Sequence, residues 1–143
     1  MTSLRSMTLT GYKSIKSMDL TLNKLNILIG ANGAGKSNLV SFFKMLNEMM
    51  AGRLQEYVAS SGRAQSLLYF GPKVTQQVTA RLEFETDNGI DNYYMRLFQG
   101  AGDTLFFAEE TLSFLQTGFE IPKSISLGAG HQETLIGEYA EKG

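Results

Sequence analysis

The residues best suited to chemistry stand together at Gly30-Ala31-Asn32-Gly33-Ala34-Gly35-Lys36-Ser37. Gly30, Gly35, Lys36 and Ser37 meet the spacing Gly-x-x-x-x-Gly-Lys-Ser. Each residue type has a task. Gly30, Gly33 and Gly35 allow dihedrals and close backbone approach that a Cβ would block. Ala31, Asn32 and Ala34 then contribute main-chain N–H groups, and successive amides pointing inward form an anion nest. Lys36 brings an ammonium for β- and γ-phosphates, and Ser37 a hydroxyl for Mg²⁺, which prefers oxygen ligands. At ordinary residue frequencies, chance would match the four fixed positions somewhere in such a chain roughly 1% of the time. The expected ligand is therefore a nucleoside triphosphate, ATP with Mg²⁺. The plain alternative is a glycine turn that binds nothing.

Such a loop works only if a strand enters it and a helix leaves it. Leu25-Asn26-Ile27-Leu28-Ile29 is a compact aliphatic run ending on Gly30, as a strand buried on both faces reads. Beyond the loop, Leu39, Phe42, Phe43, Leu46, Met49 and Met50 recur at three- and four-residue steps, which predicts a helix over about 36–50 ended near Gly52. Its N-terminus would add unpaired N–H donors and the positive end of its dipole. The phosphate-loop unit thus spans about 25–50.

Around this unit the period changes. Leu4–Thr10 and Met18–Leu22 alternate, predicting a hairpin across the turn-rich Gly11–Ser17. Two short helices are expected over about 53–70, broken near Ser60-Ser61-Gly62, with Gly71-Pro72 a stop. Val74–Phe84, Tyr93–Phe98 and Leu105–Leu115, separated by Asp87-Asn88-Gly89 and Gly100–Asp103, predict an antiparallel meander over about 74–115. The tail 116–143 is weakly patterned, with helix expected from Glu133 to Glu141. The fold class is α/β, a P-loop NTPase lobe joining a strand–loop–helix unit to an antiparallel meander.

With 143 residues the chain suits one domain. Its net charge of −1 gives no global field for nucleic acid, so contact there needs a local patch. Absence of cysteine excludes disulfides and thiolate metal sites. No signal peptide or membrane-length apolar run is visible, so the expectation is a cytoplasmic protein away from membranes.

Gly11-Tyr12-Lys13-Ser14-Ile15-Lys16, followed by Leu25 to Leu39 with its Asn32-Gly33-Ala34-Gly35-Lys36-Ser37-Asn38 core, resembles the start of ABC-type ATPases of the RecF/SMC/OLD kind. Within that group it is similar to the bacterial AAA-domain ATPases. The segments 52–57, 70–73, 107–110 and 127–131 resemble later parts of those proteins. The resemblance implies an ATPase head in which two copies sandwich two ATP molecules, hence a homodimer or other self-association. It also implies a link to DNA repair, recombination, chromosome maintenance or phage defence. Nucleic acid as a partner rests on this analogy alone. The family further uses a Leu-Ser-Gly-Gly signature, an aliphatic strand ending in Asp-Glu and a switch histidine, and this sequence holds none of them. Asp87 and Asp91 lie in polar turn sequence, and the sole histidine, His131, comes too early. The expectation is an N-terminal lobe that holds nucleotide and hydrolyses it poorly.

Other residues carry two readings each. The resemblance brings Lys13 toward the phosphates; otherwise it is a solvated loop lysine. Tyr12 packs by the base or fills the hairpin, and Asn38 braces the loop or faces water. The resemblance also asks for a Mg²⁺-contacting glutamine, for which Gln132 is best placed and Gln116 second. Glu109 and Glu110 are strand neighbours that point to opposite faces, so they read as edge-strand charges rather than a catalytic pair. His131 reads as a polar loop residue, and Met45, Met49 and Met50 as core filler. Ile27, Ile29 and the Phe42/Phe43 helix are expected to leave apolar surface uncovered. Three functions remain open: an ATPase module, a non-hydrolytic nucleotide-binding or interaction module and, less well supported, a P-loop kinase.

Overall fold

The computed structural model describes residues 3–21 and 33–138. The expected strand over 25–29, the loop residues Gly30, Ala31 and Asn32, and the end of the expected C-terminal helix lie outside these. Among the described residues the order is β1 (Ser3–Tyr12), β2 (Ile15–Thr21), α1 (Gly33–Met50), α2 (Leu54–Ser60), α3 (Ala64–Leu67), β3 (Gln77–Thr86), β4 (Gly89–Gly100), β5 (Thr104–Gln116) and β6 (Lys123–Gly128).

The described strands form one antiparallel sheet in the order β2-β1-β3-β4-β5-β6. Pairing of β1 with β3, with Met7 opposite Leu82 and Leu9 opposite Ala80, merges the expected hairpin and meander. The period of two explains the layering: Met7, Leu9, Val78, Ala80, Leu82, Tyr93, Met95 and Leu97 line one face and are buried. On this face α1 buries Leu39, Phe42, Met45 and Met49, the stripe its three- and four-residue spacing requires. Each such side chain contributes about 1.5–3 kcal/mol on leaving water.

Helix α1 ends as a helix followed by glycine should. Gly52 has φ +78°, its N–H bonds to Met49 O at 3.0 Å, and Arg53 N–H bonds to Glu48 O at 2.9 Å. These two bonds make a Schellman cap that satisfies the last carbonyls.

Several expectations are corrected. Helix α1 begins at Gly33 rather than near Lys36, because the closing Gly-Ala-Gly of the loop already takes helical backbone. Val74 lies before β3 and is 66% exposed. Residues 123–128, read as weakly patterned tail, form β6; Ile125 pairs with Leu112 in the ladder, and pairing overrides weak propensity. Of the helix expected over 133–141, one turn at 136–138 is described. Asp91 lies within β4, not in a turn. Met50 is 40% exposed and fills no core. Phe42 is fully buried and Phe43 packs against the core, so this helix does not present the expected uncovered face.

Candidate functional site

Residues Gly33, Ala34, Gly35, Lys36 and Ser37 supply the first turn of α1. The leading N–H groups of a helix have no partner within it, so this turn offers amide donors to an anion. No acidic residue stands in the turn to compete. Ser37 is exposed at this end.

The hairpin tip between β1 and β2 holds the helix from one side. Gly11 has φ +76°, and a Cβ there would lie 2.2 Å from Gln77 O, so only glycine lets β1 pass β3 this closely. Tyr69 N–H then bonds to Gly11 O at 2.9 Å, and Lys13 N–H to Leu67 O at 2.9 Å. The tip is thus fixed against α3, and its side chains point at α1. Asn38 Nδ2 donates to Ser14 Oγ, so Asn38 is tied to the hairpin rather than to water.

Ser41, one turn beyond Ser37 on the same helix face, gathers the remaining polar groups. Tyr12 Oη lies 2.7 Å from Ser41 Oγ, Lys13 Nζ donates to the same oxygen at 2.8 Å, and Tyr57 Oη of α2 lies 3.4 Å away. Tyr12 is fully buried, with its ring edge-on to Phe42 at 5.5 Å, so it packs the hairpin. Burial pushes its phenol above the usual tyrosine range, partly offset by Ser41. For Tyr57 burial acts upward as well, but bonds with Ser41 and Tyr12 and the Lys13 charge outweigh it, leaving the phenol lowered. Lys13 is half-buried, its acceptor is a neutral hydroxyl, and no described carboxylate lies within ion-pair distance. Its ammonium, which also lies 5.7 Å from the Tyr12 ring centroid, stands without a described carboxylate about one helical turn from Ser37.

The magnesium-glutamine expectation fares differently. Gln132 is exposed, and its carbonyl accepts from Gln55 Nε2 at 2.9 Å. The neighbouring Glu133 carboxylate accepts from Leu54 N–H at 2.7 Å and Gln55 N–H at 3.0 Å. That fastens the segment to the start of α2, beside Glu48, roughly 16 Å along α1 from Ser37 at 1.5 Å per residue. Gln132 is not brought together with Ser37. Gln116 ends β5, opposite Gly89. Among the described residues no cluster of three or more His, Asp or Glu could hold a metal ion.

A second polar cluster was not foreseen. Glu110 is fully buried on β5, which β6 covers, so it is not an edge-strand charge. It accepts from Tyr93 Oη at 2.5 Å, from Thr134 Oγ1 and from Leu135 N–H at 3.0 Å, with His131 Nε2 2.8 Å away. The His131 ring stacks on Phe107 at 4.9 Å, so it is no free loop residue. Burial first, then the Glu110 charge, pushes the Tyr93 phenol far above its usual range. The cause of the placement is a β-bulge: Arg96 pairs with Glu109 but Leu97 pairs with Phe107, leaving Ala108 extra. The extra residue turns both Phe107 and Glu110 to the helix face. Glu109, as expected, faces the other way, beside Arg96 at 3.6 Å.

The chain falls into a known class. Residues 25–125, which include Gly30–Ser37, match the family described as AAA domain, putative AbiEii toxin, Type IV TA system, and the chain belongs to that family. It is similar to the DNA replication and repair protein RecF of Bacillus pumilus (strain SAFR-032), being 28% identical over 125 residues that cover 79% of this chain and 33% of RecF. The chain thus spans about a third of the length of this curated relative. No solved structure matches it significantly. Both findings agree with the RecF-like ATPase resemblance carried by residues 11–16 and 25–39. Among the described residues no helix is long and apolar enough to cross a membrane.

Proposed function

We propose that the chain binds ATP with Mg²⁺ through Gly30–Ser37, as the nucleotide-binding lobe of an ATPase serving DNA repair, recombination or a related genome-maintenance or defence task. The observation that carries this reading is the placement of Gly33–Ser37 as the first turn of α1, with no acid beside it and the Lys13 ammonium one turn away. Such a turn supplies what a polyphosphate needs: amide donors, a favourable dipole and positive charge. Ser37 fits a magnesium ligand, being an exposed hydroxyl at that terminus; Gln132 does not. A bound Mg²⁺ would neutralise phosphate charge, while Lys36, Lys13 and the amides bind and orient the triphosphate.

Binding without hydrolysis by this segment alone is the form of the proposal that the described residues support. Among the described residues no group of three or more His, Asp or Glu could hold a metal ion, no acid stands in the first turn of α1, and the sheet is entirely antiparallel. Hydrolysis would need the signature segment, the strand ending in Asp-Glu and the switch histidine that residues 1–143 do not hold.

The test is a calorimetric titration of Mg-ATP into the chain and into Lys36→Ala. The substitution should weaken binding at least tenfold, since it removes the cation that contacts the phosphates. Equal affinity of the two proteins would end the proposal. Phosphate release should stay at background for both.

A further inference from the structure

The helix-bearing face of the sheet is only partly covered by α1–α3. Beyond Leu82 and Tyr93, toward the turn at Asp87-Asn88, it opens into a cavity of about 460 Å³. Phe84, Leu112, Phe114 and Ile136 form its floor and walls, and Ile125 of β6, 38% exposed, continues the apolar surface. Two charges break this surface. Asp91 on β4 pairs in the ladder with Phe114 on β5, and Phe114 pairs with Lys123 on β6. All three line the cavity, so the carboxylate and the ammonium stand on opposite flanks of an apolar strip.

Neither charge has a partner among the described residues. Two strand spacings, roughly 9.6 Å, separate their backbones, and no ion pair joins them in the structure. Desolvation alone pushes the Asp91 carboxyl above its usual range, with no cation acting in the other direction. The width between the flanking backbones is close to the roughly 10–12 Å diameter of an α-helix with its side chains. A helix lying along β5 would set an apolar stripe on Leu112 and Phe114, and its two flanks would meet Asp91 and Lys123.

We propose that this groove is a docking site for an amphipathic helix with a basic residue on one flank of its apolar stripe and an acidic residue on the other. Charge complementarity selects this occupant. An occupant without charge would leave Asp91 and Lys123 further desolvated and unpaired. A strand is disfavoured, because the groove lies on the sheet's face and offers side chains rather than an open row of backbone groups.

The probe is a fluorescein-labelled, stapled 18-residue helix with a leucine stripe, Lys along one flank and Glu along the other. Control helices carry Lys on both flanks or Glu on both, which removes the ambiguity of helix direction. Fluorescence anisotropy with the full chain should rank the Lys/Glu helix roughly threefold to tenfold tighter than either control. Asp91→Lys should weaken the Lys/Glu helix by a similar factor and shift preference to the Glu/Glu helix. Asp91→Asn, a milder change, should lower affinity while leaving the circular dichroism spectrum unaltered. Equal binding of the three helices, or indifference to both substitutions, overturns the proposal. So does a dimer in sedimentation that the Lys/Glu helix dissociates, which would assign the groove to a second copy. Mg-ATP affinity is read separately, so the outcome is independent of the nucleotide site.

Discussion

His131 Nε2 lies 2.8 Å from Glu110 Oε1, and this contact joins the segment after β6 to the middle of β5. Glu110 holds the same segment through Thr134 and the Leu135 amide, while Gly130 N–H bonds to Phe107 O at 2.6 Å and Phe107 N–H to His131 O at 2.8 Å. Between His131 and Thr134, Glu133 caps the start of α2. This strap therefore ties sheet to helix layer, and its sheet anchors are the buried Glu110 carboxylate and the two backbone bonds to Phe107.

That arrangement makes Glu110 costly to remove. Glu110→Ala strands the Tyr93 and Thr134 hydroxyls and the Leu135 N–H without their acceptor. A buried group left unsatisfied costs about 1–3 kcal/mol, so the expected loss is about 3 kcal/mol or more. Glu110→Gln keeps the shape but places an amide N–H against donors, and should cost about 1–2 kcal/mol. Urea unfolding measures both, and amide exchange at Leu135 should accelerate in both. A loss under 1 kcal/mol for the alanine variant would show that the strap is not held there.

How far the sequence reveals this architecture depends on whether the deciding interaction is local. Leu39, Phe42, Met45 and Met49 carry their helical period in the chain itself, and Gly52 its cap, so α1 was legible apart from its first three residues. Glu110 was not. Its burial depends on a bulge at Ala108, and a bulge is defined by the partner strand, which sequence spacing does not contain. Likewise β6 exists because Ile125 meets Leu112, a pairing invisible along the chain. Among the candidate site residues, Ser37 and Asn38 lie at the helix start as read. Ser41 was missed, though a serine four residues beyond Ser37 and beside Phe42 was an available signal. Order along the chain points to Gln132, but order does not fix which end of a helix a tail returns to.

Asp91 should govern part of the acid dependence of stability. Its carboxyl is raised by desolvation above the ordinary 3.8, so the folded state holds the proton more firmly than the unfolded chain. The resulting contribution is fully present below pH 3.8 and is lost as pH rises through the raised value. Asp91→Asn removes this loss. The variant should be more stable than the parent at pH 7, by less than about 1 kcal/mol because the half-exposed group is screened by solvent. At pH 3 the two should melt alike. A variant less stable at pH 7 would mean that Asp91 has a cation partner.

Lys13 provides a separation of folding from binding. Its φ of +48° is a left-handed conformation that costs a lysine about 1 kcal/mol and a glycine almost nothing. Its ammonium donates to Ser41 Oγ at 2.8 Å, a bond contributing roughly 1 kcal/mol net. Lys13→Gly relieves the first and forfeits the second, so the melting temperature should move little. The charge, however, is lost outright. At roughly 7 Å and an effective dielectric near 20, one unit charge interacts with another by about 2 kcal/mol. Even after screening, Mg-ATP affinity should fall about threefold to tenfold. Lys13→Arg keeps the charge and should retain most of that affinity while keeping the backbone strain. Unchanged affinity in the glycine variant would confine Lys13 to a structural tie between the hairpin and α1. Lost affinity with unchanged melting would place its ammonium in the field of the bound phosphates.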